Sequence, residues 1–187
     1  MKCYKYEMHT HTADVSRCAT ITAAELISHY KRHDYSGVCI TNHFFNGNTT
    51  IKADLSWDDK VSLFASGYEM AAKEGKKYGI NVFFGWEYSY SGTDFLTYNL
   101  SIQWLRKHPE IMDMHVNDYL DFARSEGGFI VHAHPFREAN YIPMIRLFPR
   151  KVDGVEVNNS SMIDFVNDLA DKYADNYDLL KSVGSDT

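Results

Sequence analysis

The chain has 187 residues, of which 44% are hydrophobic and 24% are charged, and its formal net charge is −6. This profile is typical of one soluble globular domain and argues against general nucleic-acid binding. The sequence predicts neither a signal peptide nor a membrane span, because no apolar run approaches the roughly 20 residues that cross a bilayer. Three cysteines without regular spacing (Cys3, Cys18 and Cys39) argue against a disulfide framework and favour a cytoplasmic protein.

The first predicted strand lies in residues 4–12 and contains a His-x-His motif, His9 and His11. Side chains alternate between the two faces of a strand, so both imidazoles are expected on one face, with their backbones about 7 Å apart. Two imidazoles at this spacing can bind one metal ion or two neighbouring ions.

Strands and helices then alternate along the chain. Further strands are predicted at residues 38–41, 80–86, 95–98, 129–135, 154–158 and 181–186. Helices are predicted from the capping box at Thr22 to Gly37, and at residues 57–78, 116–126, 144–148 and 162–177. This alternation indicates parallel βα units, and we expect a distorted barrel of seven strands whose functional residues lie at the carboxyl ends of the strands.

Most of the predicted strands end in a side chain that can bind a metal ion. These side chains are His9, His11, His43, Glu87, His134 and Asp186. Imidazoles and carboxylates without a majority of thiolates suit Zn, Mn or Fe in a catalytic site with open coordination positions. The pattern therefore predicts a centre with more than one metal ion.

The residues around these side chains resemble the motifs of a known family, in the same order along the chain. The segments are His9-Thr10-His11-Thr12, Ile40-Thr41-Asn42-His43, Gly85-Trp86-Glu87, Ala133-His134-Pro135 and Gly184-Ser185-Asp186. They resemble the polymerase and histidinol phosphatase (PHP) family of metal-dependent phosphoesterases. The resemblance implies an α/β fold, a distorted (βα)7 TIM-like barrel, with two or three divalent ions (Zn, Mn or Fe) held by the six side chains named above.

By this resemblance, residues 1–187 form a single PHP-like domain that hydrolyses a small phosphorylated substrate or a nucleotide. The expected nucleophile is a hydroxide generated at the metal ions, with no side-chain nucleophile. Arg137 follows His134 closely and is either a donor to the substrate phosphate or an ordinary surface arginine.

The chain departs from the family pattern at several positions. Asn42 replaces an aspartate, and Asp94, in place of a histidine, is either an oxygen ligand or a turn carboxylate. Asp14 and Cys18 are the nearest candidates for a further family ligand. The chain stops at Asp186-Thr187, without the last histidine of the family's Asp-x-His motif, and we expect truncation after the last strand.

Two residues beside the motifs leave open alternatives. His132 is two residues before His134, so we expect it on the same side of the strand, either as a further ligand or, as we favour, as a group that orients the ligands. Glu156 is either a carboxylate that supports a ligand or an inward polar residue.

Two other functions compete with phosphoester hydrolysis. One is an amidohydrolase-like enzyme that cleaves C–N bonds, a class that typically carries a lysine between its metal ions. No lysine lies in the predicted strands between residues 38 and 158. The other is an inactive metal-binding or regulatory fragment.

Overall fold

The computed structural model describes residues 4–187, so Cys3 lies outside the described residues. The strands are β1 (Tyr6–Thr10), β2 (Gly37–Ile40), β3 (Asn81–Tyr90), β4 (Thr93–Tyr98), β5 (Phe129–Ala133), β6 (Gly154–Asn159) and β7 (Leu180–Gly184). The helices are α1 (Ala23–Arg32), α2 (Trp57–Tyr78), α3 (Ile102–Lys107), α4 (Val116–Ser125) and α5 (Asp164–Tyr177), with a short 3₁₀-helix at Pro109–Met112. These strands form one seven-stranded sheet in chain order, which confirms the predicted α/β class and the number of strands.

The strand directions differ from those of a regular (βα)7 barrel. β1 to β3 run parallel, and so do β5 to β7, but β4 is antiparallel to both of its neighbours. The cause is a tight turn at Ser91 and Gly92, whose φ angles of 50° and 81° suit a two-residue hairpin. β4 therefore follows β3 without a helix between them, and the predicted regular alternation of strands and helices is not present.

The two edges of the sheet meet just beyond β7. The amide of Asp186 donates to the carbonyl of His9 at 2.9 Å, and the amide of His11 donates to the carbonyl of Thr187 at 2.6 Å. These hydrogen bonds bring the end of the chain against β1, so the sheet is nearly closed at the end where the candidate ligands lie.

The structure confirms two predicted helix ends. Thr22 and Glu25 form the predicted capping box of α1, and Gly79 ends α2 in a left-handed conformation. α1 ends at Arg32 rather than near Gly37. The predicted helix at residues 144–148 is wrong, because the connection from β5 to β6 has no helix there, and α3 was not predicted.

The helices cover the outer face of the sheet with apolar side chains. Trp86 and Tyr88 of β3 pack against Tyr119 of α4, and Trp86 Nε1 donates to Tyr119 Oη at 2.8 Å. On the other face, Leu96 and Val131 form a smaller apolar cluster. Leu96 lies directly opposite Glu87 in the β3–β4 pair, so this cluster adjoins the side of the sheet that carries the ligands.

Within residues 4–187 no helix combines the length and the apolar character that crossing a membrane requires. Cys18 and Cys39 are free thiols, the first exposed and the second buried.

Candidate metal centre

The predicted ligands from distant parts of the chain meet in one buried region inside the barrel. His9 is the second-last residue of β1. Glu87 lies in the middle of β3, because this strand continues to Tyr90 and is longer than predicted. The remaining four follow the ends of strands: His11, His43, His134 and Asp186. The side chains of His9, His11 and Glu87 have no solvent exposure.

The first group of possible ligands combines His9, Glu87 and His134. One donor atom from each lies within 4.8 Å of the others, and all three residues are buried. His134 Nε2 is 3.1 Å and His9 Nε2 is 3.4 Å from Glu87 Oε1. Two imidazole nitrogens and a carboxylate oxygen at these separations can converge on one divalent ion.

The second group shares His9 and adds His11 and Asp186, again with donor atoms within 4.8 Å of one another. Asp186 Oδ1 lies 3.0 Å from His11 Nε2 and 3.4 Å from His9 Nε2. Because His9 belongs to both groups, the two positions adjoin each other.

A third group of donor atoms within 4.8 Å consists of His11, Cys18 and His43. The His11 and His43 rings stack with centroids 4.3 Å apart and planes 12° apart. His43 Nδ1 is 2.6 Å from Glu87 Oε2, in a geometry that does not make a hydrogen bond.

Several buried polar atoms in this region have no hydrogen-bond partner, which is unusual for a folded protein. Among the described residues they include His9 Nε2, His11 Nδ1, His43 Nδ1 and Glu87 Oε2. Such atoms are available to coordinate metal ions, and their nitrogen and oxygen chemistry fits Zn, Mn or Fe. The residues present therefore fit a divalent metal centre.

Glu156 on β6 orients two of the candidate ligands. Its Oε1 lies 2.9 Å from His9 Nδ1, and its Oε2 accepts from the His134 amide at 3.0 Å. When Nδ1 of His9 donates to this carboxylate, the lone pair of Nε2 faces the centre. Of the two alternatives for Glu156, the structure supports a carboxylate that holds ligands in place.

The charges in the centre depend on one another. Burial alone would lower the pKa of His9, but the carboxylates of Glu156 and Asp186 hold it well above its usual range. Burial alone would raise the pKa of Glu87, but the imidazoles of His43 and His9 hold it well below its usual range. The carboxylates thus attract positive charge strongly, and a bound cation can take the place of the protons on the imidazoles.

His132 is not where its spacing suggested. β5 ends at Ala133, and His134 has a φ angle of 27°, so the alternation of faces breaks between the two histidines. The His132 ring stacks on Phe95 at 5.1 Å, and neither of its nitrogens has a hydrogen-bond partner. The expectation that His132 orients the ligands is wrong; it is a buried packing residue.

Of the remaining candidates, Cys18, Asp94 and Arg137 lie around a cavity of about 490 Å³ beside the centre. Asp14 does not line it, and its Oδ2 accepts from the Ala23 amide at 2.9 Å. Asp94 and Arg137 line it together with His43, Asp186 and Cys18. Asp94 belongs to none of the three groups of donor atoms, so its ligation stays a prediction. Arg137 Nη2 donates to Tyr141 Oη at 2.6 Å, a partner that the sequence did not suggest.

Asn42, the departure from the family motif, has a structural role. Its Oδ1 accepts from the Thr12 amide at 2.7 Å and from Ser16 Oγ at 3.0 Å. These contacts tie the loop after β1 to the end of β2.

Comparison with known proteins gives the class of the fold. The sequence matches no protein-family model, and no curated protein is similar enough in sequence to match it. A two-domain protein from Bacteroides vulgatus, named as containing a predicted PHP-like metal-dependent phosphoesterase, superimposes with a TM-score of 0.74 at 18% identity, over 98% of this chain. The present chain spans 51% of the length of that protein.

Two further solved structures share the fold. An inferred metal-dependent phosphoesterase from Bifidobacterium adolescentis matches 99% of this chain and 88% of its own, with a TM-score of 0.61 and 16% identity. An amidohydrolase from Chromobacterium violaceum, solved with sulfate and without metal, matches 97% of this chain and 87% of its own, with a TM-score of 0.64 and 14% identity. The chain thus has the α/β barrel-like fold of PHP-like proteins, which confirms the resemblance at the level of the fold.

Proposed function

We propose that this protein is a metal-dependent phosphoesterase that acts on a small phosphorylated substrate or a nucleotide. The observation that carries the proposal is the buried convergence of His9, Glu87 and His134, with Asp186 adjoining them and with ligand atoms that lack hydrogen-bond partners. Only one lone pair, on His9 Nε2, faces the centre, so His9 can bind one ion. His9, His11 and Asp186 would hold one divalent ion, and Glu87 and His134 would contribute to a second. Bound there, the ions would lower the pKa of water and offset negative charge on a phosphoryl group.

The charge distribution of the cavity supports the need for cations. Asp94 and Asp186 line it, and its basic lining side chains among the described residues are Arg137 and the His43 imidazole. A phosphate dianion placed there would be repelled by the carboxylates unless divalent cations balanced them. We therefore expect the protein to bind phosphoesters only after it binds metal.

The side chains around the cavity have distinct roles. The hydrogen bond to Tyr141 holds the Arg137 guanidinium at the wall, where its remaining N–H groups can donate to a phosphoryl oxygen. Glu156 keeps His9 and the backbone of His134 in place during turnover. His132 packs against Phe95 and is not among the residues that line the cavity.

The amidohydrolase-like alternative keeps one supporting observation, the fold shared with the Chromobacterium violaceum protein. Strands β2 to β6 contain no lysine that could lie between two metal ions. The charged side chain of these strands that contacts His9, His43 and His134 is the carboxylate of Glu87, not a lysine.

Metal content and turnover test the proposal together. Purified protein should contain divalent metal by elemental analysis and should hydrolyse p-nitrophenyl phosphate when Mn²⁺ or Zn²⁺ is added. His9→Ala and His134→Ala should lose metal and activity, whereas His29→Ala, at a histidine outside the centre, should retain both. Turnover of amides but not of phosphoesters would favour the amidohydrolase-like alternative. Metal binding without either activity would favour a regulatory role.

A further inference from the structure

Glu7 is a buried carboxylate at the seam of the barrel, the place where the two edge strands β1 and β7 meet. Its Oε1 accepts from the His9 amide at 2.9 Å and from the Ser185 amide at 3.0 Å. Its Oε2 accepts from Tyr30 Oη of α1 at 3.0 Å. One carboxylate therefore joins β1, a helix and the segment that follows β7.

The two amides that Glu7 holds lie next to candidate metal ligands on opposite sides of the seam. His9 is itself a candidate ligand, and Ser185 immediately precedes Asp186. His9 Nε2 lies 3.4 Å from Asp186 Oδ1, so this group of donor atoms is assembled from both edges of the sheet. A buried amide on an edge strand needs an acceptor, and here the Glu7 carboxylate supplies one to both edges.

Other contacts at the seam leave this task largely to Glu7. The backbone hydrogen bonds from Asp186 to His9 and from His11 to Thr187 lie beyond the position of Glu7. Asn159 Nδ2 donates to Asp186 Oδ2 at 3.2 Å, but it does so from β6, on the far side of the seam from β1. Removal of the Glu7 carboxylate would therefore leave the buried His9 amide without its acceptor and would loosen Asp186 relative to β1.

We propose that Glu7 is a positioning residue of the metal centre, which sets the separation of His9 and Asp186 by holding the amides of His9 and Ser185 on one oxygen. The inference rests on the metal centre of the proposed function. Glu7 belongs to none of the three groups of donor atoms, so it acts through the ligands rather than as one of them. The ion held by His9, His11 and Asp186 is the one that depends on it.

Two replacements of similar size separate this role from packing. In Glu7→Gln, the remaining oxygen can accept from both amides while the NH₂ group donates to Tyr30 Oη, so metal affinity should stay close to that of the wild type. Glu7→Met can accept from neither amide, and it should weaken the binding of one ion by roughly 10- to 100-fold. Titration with Zn²⁺ against a chromophoric chelator measures both variants.

Tyr30→Phe is the matched control for stability. It removes the hydroxyl of α1 but leaves both amide contacts, so it should lower the melting temperature without a comparable loss of metal affinity. In an Asp186→Ala background the affected metal position is already incomplete, so Glu7→Met should have little further effect on metal binding. If Glu7→Met does not fold, Glu7→Asp takes its place, because a side chain one methylene shorter should lose the Ser185 amide.

The outcomes separate this inference from the proposed function. Wild-type affinity in Glu7→Met would overturn the inference, and so would equal losses in Glu7→Met and Glu7→Gln or in Glu7→Met and Tyr30→Phe. An undiminished effect of Glu7→Met in the Asp186→Ala background would also overturn it. A protein that binds Zn²⁺ but hydrolyses no phosphoester would overturn the proposed function alone, since the titrations test Glu7 without turnover. A wild-type protein that binds no metal would overturn both.

Discussion

His9 and Glu156, which come from strands far apart in the sequence, share a hydrogen bond of 2.9 Å between His9 Nδ1 and Glu156 Oε1 in the buried part of the centre. The other oxygen of Glu156 accepts from the His134 amide. One carboxylate thus fixes a ring that belongs to two groups of possible ligands and the backbone of another ligand.

Glu156→Gln is expected to weaken metal binding by roughly 10- to 100-fold while the fold is kept. Glu156 Oε2 accepts from both the His134 amide and Asn159 Nδ2. A glutamine that accepts from His9 must point its NH₂ group at these donors, so at least the hydrogen bond from the His134 amide is lost. Competition with a chromophoric chelator measures the affinity. Glu138→Gln, at an exposed position, is the matched control. An unchanged affinity in Glu156→Gln would show that the carboxylate does not orient the ligands.

Gly184→Ala is expected to reduce both stability and metal affinity. A β-carbon at Gly184 would overlap His9 Cβ and would lie 2.6 Å from Glu156 Oε1, so the pair described above must move apart. Forcing extra volume into a packed site typically costs about 1–3 kcal/mol. Thermal unfolding and chelator competition measure the two effects. Ser182→Ala, in the same strand and at a hydroxyl without a partner, should change neither; wild-type metal affinity in Gly184→Ala would contradict the prediction.

His132→Phe is expected to stabilise the protein at acidic pH. Burial lowers the pKa of His132 from 6.5 to about 3. At a pH between these two values, His132 is therefore protonated in the unfolded chain and neutral in the folded protein. Folding stability is therefore complete above the unfolded pKa and falls as the pH drops below it. Between pH 7.5 and pH 5 the loss is about 2 kcal/mol, because stability falls by about 1.36 kcal/mol per pH unit below the unfolded pKa. Phenylalanine keeps a ring against Phe95 and removes this loss.

Urea unfolding of metal-free protein at pH 5 and pH 7.5 measures the His132 effect as a difference between the variant and the wild type. Groups elsewhere titrate in both proteins and cancel in the comparison. If the two proteins lose the same free energy of unfolding between these pH values, His132 does not remain neutral in the folded state.

Removal of metal is expected to lower the melting temperature. An ion that binds only the folded protein stabilises it by about 2.7 kcal/mol when its free concentration is 100 times the Kd. Scanning calorimetry with and without a chelator measures the shift. His9→Ala, which removes a ligand from two of the groups, should melt at nearly the same temperature in both conditions. A wild-type protein that is insensitive to the chelator would argue against a bound ion.

Arg137→Ala is expected to lower kcat/KM for phosphoesters by roughly 10- to 100-fold, because charge-assisted hydrogen bonds contribute about 1.5–3 kcal/mol. Metal content should not change, since Arg137 is not in any group of donor atoms. Arg137→Lys should restore only part of the rate, because an ammonium group lacks the planar fork of the guanidinium. Arg150→Ala is the control at an exposed position. Unchanged kcat/KM in Arg137→Ala would show that Arg137 does not bind the substrate phosphate and is an ordinary surface arginine.

The sequence predicted the parts of this protein that depend on neighbours along the chain. The capping box at Thr22 and the left-handed Gly79 mark helix ends because they satisfy backbone groups within one turn. Local pattern failed at residues 144–148, where the spacing suited a helix but the chain forms none. The turn at Ser91-Gly92 was predicted, but the reversed direction of β4 that follows from it was not.

The spacing of His9 and His11, and the residue types at the strand ends, determined by themselves which side chains are candidates for a metal centre. Only the tertiary structure decided which of them meet, because the sheet brings His9, Glu87 and His134 into one group of donor atoms and His9, His11 and Asp186 into another. It also separated His132 from His134 through one positive φ angle, which a two-residue period does not anticipate. Periodicity reports the direction of a side chain along one strand, whereas contact between strands depends on how the whole sheet closes.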